Sequence, residues 1–220
     1  MPRTARASRG NVCHHVMNRG NNRNTIFHDE VDYRFFESLL LRAKSRIPID
    51  VFAWCLMPNH FHLVLRPRLD GDLGRWIHWL MTCQVHHHRK RHRVNGRIWE
   101  GRFKAPPIQE NDHFLTVVRY VERNPVRAGI VDDVMNWRWS SFQRRTCNDD
   151  PLLDPSPLEL PKLWRSFVNE PLTTDELAAV RTSLNREQPY GDHDWVQETA
   201  ERLGLLSKLR PIGRPRSDIL

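Results

Sequence analysis

Val12–Asn18 reads as a short strand, and Ile49–Leu56 alternates well enough between the two sides for another, followed by His60–Arg66. Between the first two, Tyr33, Phe36, Leu40 and Ala43 recur at helical spacing and predict a helix over Asp29–Arg46, closed off by Pro48. Met57-Pro58-Asn59 supplies a turn that folds the second and third strands into an antiparallel hairpin. Leu73, Trp76, Ile77, Leu80 and Val85 give a second helix, Gly71–His92, an apolar side, and the run His86–Arg93 gives it a cationic end. Gly96–Ile108 reads as a last strand interrupted by Pro106-Pro107. A third helix runs from about Asp112 to Arg123 and is stopped by Pro125, which disfavours helical geometry at Asn124.

The order β-α-β-β-α-β followed by a helix is the split βαβ pattern of ferredoxin-like and RRM-like folds. It predicts an α+β domain with an antiparallel sheet, helices on one face and the other face available to a substrate. Beyond Trp139-Ser-Ser-Phe142 the composition shifts. Asp149–Pro161 is rich in Pro and Asp and reads as a linker, Thr173–Asn185 and Trp195–Leu206 as short helices, and Pro211–Leu220 as a flexible basic tail. The expected division is a main domain over 1–147, a linker and acidic helical appendage over 148–210, and the tail over 211–220.

Charge sharpens that division. Residues 1–147 hold 25 Lys and Arg against 13 Asp and Glu; residues 148–201 hold 4 against 12; residues 202–220 return to 5 against 1. A basic domain of this kind favours a polyanionic partner, nucleic acid foremost. No apolar run approaches the ~18 residues that span a bilayer, so no membrane association is expected. The basic segment Met1–Arg9 is not followed by a hydrophobic stretch, so no secretory signal is visible. The four cysteines lie far apart without a C-x-x-C pair. A cytoplasmic, nucleoid-associated protein with reduced thiols is the expectation.

Two features carry chemistry. His60 and His62 point to one face of a strand, where two neutral imidazoles can hold a divalent cation if a third ligand reaches them; by spacing alone, such a pair is more often a polar strand face. On the third helix Phe114, Val118 and Val121 form the buried stripe, Tyr120 lies on its flank and Asn124 sits one turn beyond it. A phenol there is ordinarily a flanking side chain with its hydroxyl in water. The alternative makes Tyr120 a nucleophile and Asn124 a metal ligand, a combination suited to phosphodiester chemistry.

His60-Phe61-His62 resembles the His-hydrophobe-His signature of the HUH single-stranded DNA nucleases. Arg119-Tyr120-Val-Glu-Arg-Asn124-Pro125-Val-Arg-Ala-Gly129 resembles the tyrosine helix of the REP-associated tyrosine transposases, a branch of the single-tyrosine transposases of insertion sequences. His15-Val-Met-Asn-Arg19-Gly20-Asn21-Asn22-Arg23, Trp99-Glu-Gly-Arg102-Phe-Lys104 and Trp139-Ser140-Ser141 match that branch in order, over about residues 10–145. The resemblance implies a DNA strand transferase in which His60, His62 and Asn124 bind Mg²⁺ or Mn²⁺ and Tyr120 forms a 5′-phosphotyrosine link. Relatives often carry Gln where Asn124 stands, and an aromatic Tyr where His14 stands.

The implied substrates are repetitive extragenic palindromes, DNA hairpins flanked by a short single strand. Phosphate contacts are expected from Arg19, Asn21 and Arg23 in the first loop, Arg102 and Lys104 near the last strand, and Arg119, Arg123 and Arg127 around the tyrosine. Arg214 and Arg216 in Gly213-Arg-Pro-Arg216 resemble a core that enters A·T-rich minor grooves. On a helix the adjacent histidines of His86–Arg93 face different ways beside cations, so a DNA-backbone contact or a solvated helix end is expected rather than a metal tract. The appendage favours a monomer, with a homodimer possible. Two rivals stand beside this reading: a domesticated hairpin-binding protein with little turnover, and a zinc hydrolase, for which a carboxylate base is missing.

Overall fold

Four antiparallel strands pair in the order β2–β3–β1–β4 in the computed structural model, which describes residues 9–145 and 150–210. They are β1 (Cys13–Arg19), β2 (Ile49–Met57), β3 (His60–Pro67) and β4 (Pro107–Ile108). Helix α1 (Glu30–Arg46) joins β1 to β2, and α2 (Asp72–His92) joins β3 to β4. The α+β architecture expected from the pattern is present. Asp29 starts α1 by accepting from the backbone N–H groups of Val31 and Asp32.

Alternation along the strands separates two cores. Val16, Trp54, Leu56, Phe61, Leu63 and Leu65 face α1 and α2 and pack on Phe36, Leu40, Trp76, Ile77 and Leu80. The opposite face is not open as expected: Cys13, Cys55, Met57 and Val64 pack there against α3 (Asp112–Glu122) and against Val180 and Leu184 of α7 (Thr174–Arg186). The physical reason is a second apolar surface. A bulge in β2 between Val51 and Ala53 turns both Phe52 and Ala53 toward this side, and Phe52 meets Phe114 edge-on at 5.5 Å.

The last strand is also shorter than expected. Only Pro107–Ile108 forms a ladder, while Lys104 and Trp99 make isolated bridges to Met17 and Gly20. Two prolines without N–H groups suit an edge and break the ladder there. Pro125 opens a further turn, α4 (Asn124–Arg127), rather than simply ending α3, because proline is tolerated where no helical N–H is needed.

Segments after α4 fasten the outer edge of β2. Leu56 N–H donates to Trp139 O at 2.8 Å, Trp54 N–H to Ser141 Oγ at 3.1 Å, and Val51 exchanges two hydrogen bonds with Asp154 at 2.8 and 2.9 Å. A strand edge that would otherwise pair with another chain is thereby covered. The remaining helices are α5 (Ser141–Arg144), α6 (Trp164–Asn169), α8 (His193–Arg202) and α9 (Leu206–Leu209), so Trp195–Leu206 is broken into two helices at Gly204, where φ is positive. Among the described residues no helix is long and apolar enough to cross a membrane.

Candidate active site

Register fixes the histidines. Met17 and Cys55 flank His62, and Arg19 and Met57 flank His60, so both imidazoles rise from the middle of the sheet toward α3. Their rings stand 5.0 Å apart. Asn59 Oδ1 accepts from His60 Nδ1 at 2.7 Å, and His62 Nδ1 lies 2.9 Å from His15 Nε2. With both Nδ1 atoms engaged, each Nε2 is the nitrogen available to a cation, the outer-partner arrangement that orients metal-binding imidazoles. Burial holds all three rings neutral. It lowers His15 to about 3; at His60, burial with the charges of Arg127 and Arg19 outweighs the opposing influence of the neighbouring Asn124 amide and brings the ring to about 4. His62 is pushed well down by burial and by its imidazole neighbours.

Tyr120 meets this pair from α3. Its ring is edge-on to His15 at 5.7 Å and to His62 at 5.6 Å, with the Arg127 guanidinium 5.5 Å from its centre. Asn124, fully buried at the start of α4, accepts from Arg127 at 2.6 Å through Oδ1, while its Nδ2 is buried without a partner. Two neutral imidazoles beside a buried amide are a donor set that fits a divalent cation, with the Asn124 Oδ1 that would bind it accepting from Arg127 in this structure. The sequence-derived quartet of His60, His62, Tyr120 and Asn124 is thus brought together.

A cavity of about 240 Å³ opens over these groups, lined by Arg19, His60, His62, Tyr120, Arg127, Arg181 and Asn185 among others. Arg181 and Asn185 belong to α7, and no sequence pattern marks them, because nothing local identifies a surface helix as packing beside Tyr120. His15 and Asn59 lie beside the motifs that carry the histidine pair, and only their contacts with His62 and His60 give them a role.

The expected phosphate contacts divide. Arg19 borders the cavity while pairing with Glu100 at 2.9 Å, and Lys104 donates to Asn185 at 3.3 Å. Asn21 and Arg23 form a single 3₁₀ turn in which Arg23 is exposed, and Arg102 is exposed beside a second groove under α2. That turn needs Gly20, where a Cβ would stand 2.2 Å from Asn24 O. Arg119 and Arg123 are not among the residues that line the cavity. Arg119 is 6% exposed, ion-paired with Glu176 at 2.7 Å and set over Phe167, and Arg123 donates to Asn169 O at 3.1 Å. Both side chains secure the C-terminal helices, because their side of α3 is the one α6 and α7 cover. Arg214 and Arg216 lie outside the described residues.

The Trp139-Ser-Ser segment also has a structural part. Ser141, Arg145 and Trp164 all hydrogen-bond the fully buried Glu122 carboxylate, and Trp139 stacks on Tyr33 at 4.7 Å.

A histidine pair on an antiparallel sheet thus faces a helical tyrosine, and comparison with known proteins gives the family. The IS200-like transposase family matches residues 8–124. A Haemophilus influenzae protein assigned by name to the REP-associated tyrosine transposases is 30% identical over 120 residues, 50% of this chain and 68% of the relative. The REP-associated tyrosine transposase of Escherichia coli K12 is 26% identical over 118 residues, 51% of this chain and 66% of the relative. A solved structure of a REP-associated tyrosine transposase bound to a REP hairpin superposes with a TM-score of 0.58 at 21% identity, over 73% of this chain and 99% of that one, a likeness of fold. The chain belongs to the IS200-like transposases and, within them, to the REP-associated tyrosine transposases.

Proposed function

We propose that this protein cuts and rejoins single-stranded DNA beside REP-type palindromic hairpins, with Tyr120 as nucleophile. The observation that carries this reading is the placement of Tyr120 edge-on to His15 and His62 at the floor of a cavity rimmed by Arg19, Arg127 and Arg181. His60, His62 and Asn124 would hold Mg²⁺ or Mn²⁺, which supplies polarisation of a non-bridging phosphate oxygen. Tyr120 Oη bonds to phosphorus, the bond to the 3′-oxygen breaks, and the phenolic proton is balanced by protonation of the departing 3′-hydroxyl. Attack by a second 3′-hydroxyl reverses the step and joins strands without an energy-rich cofactor. Arg19, Arg127 and Arg181 are suited to neutralise phosphate charge at the cavity, and Arg23 and Arg102 to hold flanking DNA. We further propose that the protein acts as a monomer in the cytoplasm on nucleoid DNA, with α7 of its own C-terminal region lining the cavity.

The test is capture of the covalent intermediate on a REP hairpin oligonucleotide with Mn²⁺, resolved on a denaturing gel. The parent should give an adduct. Tyr120→Phe should give none while binding the hairpin almost as well, since it removes one oxygen and little packing area. An adduct from the Phe variant would move the nucleophile elsewhere. Binding without an adduct in the parent would favour a hairpin-binding protein of the same ancestry.

A further inference from the structure

On the other side of the sheet, three histidines from two distant segments converge. His28 lies in the loop before α1, and His88 and His92 lie one turn apart near the end of α2. Ring centres are 4.4 Å apart for His28 and His92, 4.6 Å for His88 and His92, and 5.6 Å for His28 and His88. Each offers one nitrogen within 4.8 Å of the others. Within the His86–Arg93 run itself, adjacent histidines point different ways. Spacing of four places His88 and His92 on one face, and the third member comes from about sixty residues earlier, which only tertiary structure supplies.

We propose that His28, His88 and His92 form a zinc site distinct from the His60–His62 centre. Imidazole nitrogen is a preferred donor for Zn²⁺, and three imidazoles leave the fourth tetrahedral position to water. With metal–nitrogen bonds of ~2.0–2.1 Å the nitrogens must come to within ~3.3 Å of one another, so the rings close by about 1.5 Å at most. His88 is 4% exposed and its Nδ1 is buried with no partner, a cost that a bound cation removes. His92 Nε2 stands 3.0 Å from Asp32 Oδ2, the carboxylate–histidine pairing that orients a ligating ring and leaves its Nδ1 for the metal.

The neighbouring charge permits a cation. Arg91, whose Nη1 lies 3.3 Å from His92 Nε2, is paired with Asp29 at 2.6 Å and Asp32 at 2.8 Å, so its charge is balanced. Asp32 is fully buried, lies 3.5 Å from His87 Nε2 and accepts from His28 N–H at 2.9 Å, so one carboxylate gathers both ligand-bearing segments. The zinc would clip this loop to the end of α2. Two residues upstream, Ile26 and Phe27 donate to Pro58 O at 2.8 and 3.0 Å, which fastens the same loop to the turn that precedes His60. The site is therefore a structural staple under the active-site turn.

Metal-stripped protein titrated with Zn²⁺ by calorimetry, and with Co²⁺ by visible absorption, tests the proposal. The parent should show an imidazole-ligated cobalt spectrum that survives in His60→Ala/His62→Ala. His28→Gln, a change at an exposed position, should abolish that spectrum. It should also weaken zinc binding by at least about 10-fold, the smallest loss seen when even the partners of ligands are removed. His92→Gln should do the same, and Mn²⁺-dependent adduct formation by His28→Gln should persist at saturating hairpin. Parent-like zinc affinity in both glutamine variants would overturn the site. So would a cobalt spectrum lost only on changing His60 and His62, because the signal would then belong to the other centre.

Discussion

His62 is held by a chain of imidazoles: His15 engages its Nδ1, His60 stands beside it, and both are neutral through burial. His60→Ala and His62→Ala should each abolish measurable Mn²⁺ binding in calorimetry, since a three-ligand site with one ligand lost holds its cation weakly. Asn124→Ala should weaken it less, because water can replace a neutral amide oxygen. The same burial sets an acid limit on the metal-free fold. The unfolded chain takes up protons at the ordinary histidine value of 6.5, whereas folded His60 and His15 resist until about 4 and 3. The unfolded state therefore binds more protons in that window, and stability falls as pH drops from 6.5 toward 4. Urea midpoints of chelator-treated protein across that range should fall on acidification, and a flat profile would show that the rings are not held neutral.

Helix α3 turns two faces to two tasks. Tyr120 looks toward the sheet histidines, while Glu122, two residues on, is buried with Ser141, Arg145 and Trp164 around it. Glu122→Ala would strand the Arg145 charge and two polar donors, and should destabilise the protein by roughly 3–5 kcal/mol in denaturant melts. Arg119 and Arg102 make a contrasting pair at this scale. Because Arg119 is spent on Glu176, Arg119→Ala should leave the salt dependence of hairpin binding unchanged. Arg102→Ala should make the slope of log affinity against log salt shallower by roughly one unit, as for a lost phosphate contact. Equal slopes for both variants and the parent would remove Arg102 from the DNA surface.

At the scale of the whole molecule, the acidic C-terminal region helps to line the cavity over Tyr120. It carries 12 acidic residues over 148–201, yet α7 turns Arg181 and Asn185 into the cavity beside Tyr120. Net charge described the surface of that region and missed the one face that matters for the site. The tail of residues 211–220 lies outside the described residues, and its Gly213-Arg-Pro-Arg216 segment is proposed as a DNA clamp on its charge and its resemblance to a minor-groove core. Truncation before Arg210 should weaken hairpin binding and flatten its salt slope by roughly one unit per lost contact. Unchanged affinity and slope would make the tail a passive terminus, and tighter binding would make it inhibitory.

What the sequence determined by itself was whatever depends on neighbours along the chain. Strand alternation put His60 and His62 on one face, helical periodicity put Tyr120 one turn before Asn124, and the element order called for an antiparallel split βαβ sheet. Tertiary structure decided what depends on residues far apart: the bulge that turned Phe52 and Ala53 to the second face, the helices that closed that face, and the partners of each charged side chain. An arginine reads the same in sequence whether it meets Glu176 or a phosphate, because its energy is set by desolvation and by which carboxylate lies within about 4 Å. For the same reason His88 and His92 gain their meaning only from His28, which no period along α2 could indicate.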